Sequence, residues 1–323
     1  MQTRRIAVDG DDAGARRADE AAHRGADPTA PRAGDDHHAV GEPQPLVEHA
    51  APSVRARPAD VASRAGRGEA TTAHREHGAG LLTGRVALVV GGGTGLGTDL
   101  AWGLTDAGAA VAVVGPSGHE PAVAAQLRAA GPGAVGLHAP IDTRAHAVAA
   151  FAAAAAELGP LDLIVHALTD PASLTPAAIA DTDASAWDER CEAVLRGAIA
   201  CAQAAWAQLN GRGGRLVFVT PTVTLTGAAR LAPYVSALEG TRALAKSAAR
   251  QWGAHGITVN CVAPPVGLVG HAAEPAGAAA PALGREPDGR TDVAPVVALL
   301  ATSGAHFLTG ATLTVDGGRV MAP

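Results

Sequence analysis

From Leu81 onward, short runs of Val, Leu and Ile alternate with longer Ala-rich stretches; the first 80 residues show no such rhythm. The apolar runs Val86–Val90, Ala110–Val114, Ala134–His138, Leu161–Val165, Leu216–Val219, Ile257–Val262 and Thr312–Val315 predict strands. The stretches between them, Thr98–Ala107, Ala122–Ala130, His146–Leu158, Ala186–Gln208, Tyr234–Trp252 and Asp292–Thr302, predict helices. The strands are continuously apolar, as expected of a parallel sheet covered on both faces. Right-handed crossovers then give an α/β fold with a doubly wound sheet, one domain over residues 81–323.

Residues 1–80 read differently. They hold 11 Arg, 13 Asp plus Glu and 6 His but no aromatic residue, and their few aliphatics (Ile6, Val8, Val40, Leu46, Val47, Val54, Val61) keep no period. Such a segment cannot bury enough apolar area to offset chain entropy of about 1–2 kcal/mol per residue, so a disordered tail is expected. Arg4-Arg5 is followed by no apolar stretch, which argues against an export signal. His37-His38 lacks metal-ligand spacing. The Arg/Ala/Gly/Asp/His mixture, with one Lys in the whole chain, suits GC-rich coding, and a start codon set too early would also produce it.

Composition narrows the function classes. No run approaches eighteen apolar residues, so no membrane span is expected. A net charge of −6 offers no general grip on nucleic acid. Cys191, Cys201 and Cys261, with no CxxC, predict neither a disulfide framework nor a metal site and are expected as small core residues. These features together point to a cytoplasmic globular protein.

The first strand runs into Gly91-Gly92-Gly93-Thr94-Gly95-Leu96-Gly97, and a helix follows. Glycines in that place allow a tight turn and close approach of backbone to a pyrophosphate, which the helix N-terminus favours electrostatically. This is a Rossmann-type signature, with Gly91, Thr94, Gly95, Leu96 and Gly97 as the candidate cofactor-binding residues.

At this point the chain resembles the short-chain dehydrogenase/reductase family over Leu81–Pro323. Gly91-x-x-x-Gly95-x-Gly97 is similar to the family's TGxxxGxG, with Val90 for Thr. Gly214–Val219, His255-Gly256-Ile257-Thr258-Val259-Asn260-Cys261-Val262-Ala263-Pro264, Leu283-Gly284-Arg285 and Leu308–Gly318 resemble later family segments. The nearest subgroup is the bacterial 3-oxoacyl-carrier-protein reductases and polyketide ketoreductases. The resemblance implies that a Tyr passes a proton to a carbonyl while a nicotinamide delivers hydride. It also implies a Lys four residues on that lowers the Tyr pKa and holds the ribose, a Ser that orients the carbonyl and an Asn that supports a relay water.

Carried over, the Tyr position is Tyr234, the only tyrosine, and the Lys position is Leu238. The Ser position is Pro221, beside Thr220 and Thr222, and the Asn position is Val194. A free phenol has a pKa near ~10 and needs a nearby cation to work at neutrality. Lys246 is twelve residues from Tyr234, about 18 Å along an ideal helix, and Arg242 is about 12 Å away. Tyr234 and Thr222 are therefore the remaining catalytic candidates, in an impaired site; no metal is expected.

The family's NNAG is replaced by His166-Ala167-Leu168-Thr169. His166 is expected either to fill the space of the lost asparagines or to serve as an alternative donor. Pro140 stands where an Asp meets adenine, with Asp142 two residues late. Gly115-Pro116-Ser117 offers no acid for a ribose 2′-hydroxyl and no base for a 2′-phosphate, so NADP(H) is weakly preferred to NAD(H), unless binding is lost. The expected lid, Val266–Pro281, is mostly Ala, Gly and Pro.

The helices from Ala186 and Tyr234 match those of the family's dimer interface, and Trp187, Trp206 and Trp252 fall on or near them. Three functions follow. The chain is a non-catalytic or impaired subunit in a homo- or hetero-oligomer with an active reductase. Alternatively, it reduces an acyl-carrier-protein-bound or small carbonyl with a rearranged site, or it senses a dinucleotide without turnover.

Overall fold

The computed structural model describes residues 80–269 and 278–321. The expected tail lies outside the described residues apart from Gly80, as does much of the expected lid. Seven parallel strands run β1 (Val86–Val90), β2 (Ala110–Gly115), β3 (Ala134–His138), β4 (Leu163–His166), β5 (Gly214–Val219), β6 (Ile257–Ala263) and β7 (Thr312–Thr314). Their order across the sheet is β3-β2-β1-β4-β5-β6-β7, so the chain reverses direction between β1 and β4. That gap, at the carboxyl ends of the strands, is where such sheets hold ligands.

Side chains of each strand alternate between the two faces. Val89, Val113, Val165 and Val217 pack with Leu100 and Leu104 of helix α1 (Gly95–Asp106) and with α8 (Ala294–Leu300). Leu88, Ile164 and Phe218 pack the other way, on Phe151 of α3 (Arg144–Leu158) and on α5 (Ala193–Leu209) and α7 (Ala232–Trp252). Helix α2 (Glu120–Ala130) links β2 to β3. Thr143 starts α3 by accepting a hydrogen bond from the His146 N–H.

Where sequence expectation and structure differ, local chemistry decides. The fourth strand begins at Leu163, because Asp162 turns its carboxylate back to accept from the Val86 N–H at 2.9 Å and from Arg85 at 3.1 Å. The helix expected over Ala186–Gln208 is three pieces: α4 (Ala184–Trp187), capped by Asp183, a wider π-type turn (Asp188–Glu192), and α5. A short helix, α6 (Val223–Thr226), follows β5. All three cysteines are free and buried. Trp206 and Trp252 stack at 5.3 Å between ring centroids against the core, and only Trp187 shows a substantial exposed surface.

Candidate functional site

The glycine loop is locked by close contacts. A side chain on Gly97 would put its first carbon 2.1 Å from the Gly91 carbonyl oxygen, and one on Gly91 would lie 2.6 Å from the Leu168 backbone. Gly95 is different: its φ of +50° favours glycine, and an added carbon would meet nothing within 4 Å. Thr94 and Gly95 are exposed, and the Thr94 hydroxyl does not cap α1. The first N–H groups of this 12-residue helix have no carbonyl a turn earlier; the Thr98 N–H is the first taken, by the Thr94 carbonyl at 3.3 Å, and the space beside Gly95 is open. This mouth fits the pyrophosphate of a dinucleotide.

One face of the loop has an occupant the sequence did not disclose. Glu120 opens α2 and folds back, fully buried, against the loop, so the turn Gly115-Pro116-Ser117 still presents no acid at its surface. Its Oε1 accepts from the Ser117 N–H at 3.0 Å and the Ser117 hydroxyl at 2.7 Å. Its Oε2 has no hydrogen-bond partner, and His138 Nδ1 stands 3.7 Å away. The signal lay in three glycines. A side-chain carbon on Gly93 or Gly115 would come within 2.7 or 2.8 Å of Oε1, and one on Gly136 within 2.1 Å of the Glu120 carbonyl. Asp142, the late acid after β3, is exposed, and a 2.7 Å hydrogen bond to His146 holds its carboxyl below the usual range.

At the other end of the crevice the carried-over positions do meet, as a small apolar cluster. Tyr234 and Leu238 of α7 pack with Val223 and Val266, and Val194 of α5 lies against them. Tyr234 is 1% exposed. Burial pushes its phenol well above the ordinary range; the Thr169 hydroxyl lowers it only in part, and no charged group contributes. No described group completes a hydrogen bond with the phenol oxygen. Pro221 and Thr222 are buried in the turn after β5, where the Thr222 N–H donates to the Pro264 carbonyl at 2.8 Å.

Neither possible cation donor acts on the phenol. Arg242 binds Glu239 at 2.5 Å and the Thr312 hydroxyl at 3.3 Å, at the rim of a separate cavity of about 730 Å³ beside β7. Lys246 is exposed. His166 lies in the helix-covered layer with its ring 5.7 Å from that of Phe218. Burial pushes its pKa down to about 4, and its Nε2 has no partner. A ring so placed holds no proton to give near neutrality.

Comparison with known proteins agrees with this architecture. The family described as enoyl-(acyl carrier protein) reductase matches residues 91–319. The chain is 34% identical over 247 residues to a cis-4-hydroxycyclohexanecarboxylate dehydrogenase of Sinomonas cyclohexanicum, covering 72% of this chain and 96% of that protein. It is 31% identical over 248 residues to a 3-oxoacyl-[acyl-carrier-protein] reductase of Staphylococcus aureus, covering 73% and 98%. A crystal structure of a dehydrogenase/reductase from Sinorhizobium meliloti 1021 superposes with a TM-score of 0.65 at 27% identity, over 75% of this chain and 98% of that one. With a family match over residues 91–319 and relatives and a solved structure matched over most of its length, the chain belongs to the short-chain dehydrogenase/reductase family.

Proposed function

We propose that this protein is a catalytically impaired family member that keeps its dinucleotide mouth and serves as a subunit of a homo- or hetero-oligomer with an active reductase. One observation carries the reading: Tyr234, Leu238 and Val194 meet in an apolar cluster in which the phenol is buried with no charged group beside it. General acid–base catalysis contributes about 10²–10⁴-fold, and a phenol held above its ordinary pKa gives most of that up. When bound, a dinucleotide supplies the hydride; Gly95 and the α1 N-terminus are the groups that would hold its pyrophosphate. With Glu120 fully buried and no acid or base at the surface of Gly115-Pro116-Ser117, the weak preference for NADP(H) over NAD(H) is kept as part of this reading.

Two relatives are named for a cyclohexanecarboxylate dehydrogenase and an acyl-carrier-protein reductase, so an acetoacetyl thioester and a cyclic ketone are suitable test substrates. The purified protein is expected to bind a dinucleotide but to reduce neither substrate above background. A rate comparable with that of an active family reductase, abolished by Tyr234→Phe, would overturn the proposal. Native mass spectrometry of this chain mixed with such a reductase tests the subunit role; a strict monomer counts against it.

A further inference from the structure

We infer that Arg85, Arg212 and Arg215, at the amino-terminal edge of the sheet, form a binding site for a phosphate group. This edge is the opposite end of the strands from the glycine loop, a strand's length or about 17 Å away.

Arg85 precedes β1, Arg215 is the second residue of β5, and Arg212 sits in the turn leading into β5. Leu163 of β4 is in register with Ala87 on one side and with Arg215 on the other. Side chains alternate along a strand, so Arg85 and Arg215 leave the same face of the sheet with only β4 between them. All three residues meet at the start of β4. Arg85 Nη1 donates to Asp162 Oδ1 at 3.1 Å, Arg212 Nη1 to the Leu161 carbonyl at 3.2 Å, and the Arg215 backbone N–H to the Asp162 carbonyl at 2.9 Å.

The charges at this corner do not balance. Among the described residues, Asp162 is the one carboxylate paired with any of the three, and it also accepts from the Val86 N–H at 2.9 Å. Arg212 and Arg215 bond only carbonyl oxygens, which leaves three positive charges against one negative. Arg215 is the sharpest case. Its half-buried guanidinium lies on the Gly214 and Gly256 carbonyls at 3.0 and 3.4 Å, and its Nε is buried with no acceptor. Burial, and then the charge of Arg85, push its pKa down, and no negative charge offsets them.

A desolvated cation beside a like charge, with no counter-ion, is unfavourable; a bound anion relieves both penalties. A phosphate group carries about −1.5 to −2 near neutrality, which matches the excess here, and its several oxygens suit forked guanidinium donors. Arg85 and Arg212 are exposed, so the anion enters from solvent.

The test is calorimetric titration of the full-length chain with inorganic phosphate and with glycerol 3-phosphate, at pH 8 and constant ionic strength. At least one is expected to bind with a dissociation constant of about 1 mM or tighter, undisturbed by saturating ADP-ribose. The tighter of the two identifies the source, free phosphate or a phosphate ester, and either result upholds the site. Arg215→Gln is expected to weaken binding at least tenfold; if that variant does not fold, the exposed Arg212→Gln is expected to do the same and decides. Binding of neither probe, displacement by ADP-ribose, or undiminished affinity in the deciding variant overturns the inference. None of these results bears on whether the glycine loop holds a dinucleotide, except displacement, which would place the phosphate there.

Discussion

Leu238 lies one helical turn beyond Tyr234 on the buried face of α7, and the two side chains share one apolar cluster. The phenol oxygen is enclosed with no well-aligned hydrogen bond, and a buried hydroxyl left unsatisfied costs about 1–3 kcal/mol. Tyr234→Phe removes the oxygen and keeps the ring. It is expected to leave the denaturation midpoint unchanged or to raise it slightly. A fall of several degrees would mean that the hydroxyl makes a bond in solution.

Restoring the family pattern is expected to cost stability. Leu238→Lys places an ammonium among Tyr234, Val223 and Val266, a site 6% exposed, and is expected to lose about 2–4 kcal/mol in urea unfolding. The double variant Leu238→Lys, Pro221→Ser is expected to gain carbonyl reduction over the parent, since the new cation meets the phenol beside an intact glycine loop. No gain in a folded, dinucleotide-binding double variant would show that the crevice lacks more than these two groups.

His166 makes stability depend on acid. Its pKa near 4 in the fold lies below the ordinary value of 6.5, so between those values the unfolded chain binds the extra proton. Stability is fully present above pH 6.5 and falls as the pH drops towards 4, by up to about 3 kcal/mol from this group. His166→Phe is expected to flatten that part of the curve in denaturant titrations run from pH 7 to 4. An unchanged slope would show that the ring is solvated.

The glycines of the loop are expected to separate stability from binding. Gly97→Ala drives a carbon against the Gly91 carbonyl, backbone on backbone, and is expected to cost several kcal/mol or the fold itself. Gly95→Ala meets open space and pays only for its positive φ, about 1 kcal/mol. It is nevertheless expected to weaken ADP-ribose binding at least tenfold, because the methyl occupies the mouth. Equal binding by Gly95→Ala and the parent would place the ligand elsewhere.

Much of this was legible in the chain. Apolar runs such as Val86–Val90 and Ile257–Val262 read as strands because both faces of each are covered, and Gly91–Gly97 read as a loop because a strand precedes it and a helix follows. That Val194, Leu238 and Tyr234 come together in one apolar cluster is a fact of the fold, and counting back from Ile257-Thr258-Val259-Asn260 had already singled out Tyr234 and Leu238. Glu120 was not legible. Its burial depends on Gly93, Gly115 and Gly136, which are 22 and 21 residues apart in sequence and meet only once three strands are aligned. The break at Asp188–Glu192 leaves no mark in the spacing of apolar residues, which continues through it.

A reactive crevice constrains each of its side chains by chemistry, one identity per position. Under the proposed loss of catalysis, the cluster around Leu238 is held by volume alone, and positions 194, 223, 238 and 266 are expected to trade methyl groups with one another as long as their sum is kept. Among relatives that share an aliphatic residue at 238, drift at these four places is expected to be correlated in size.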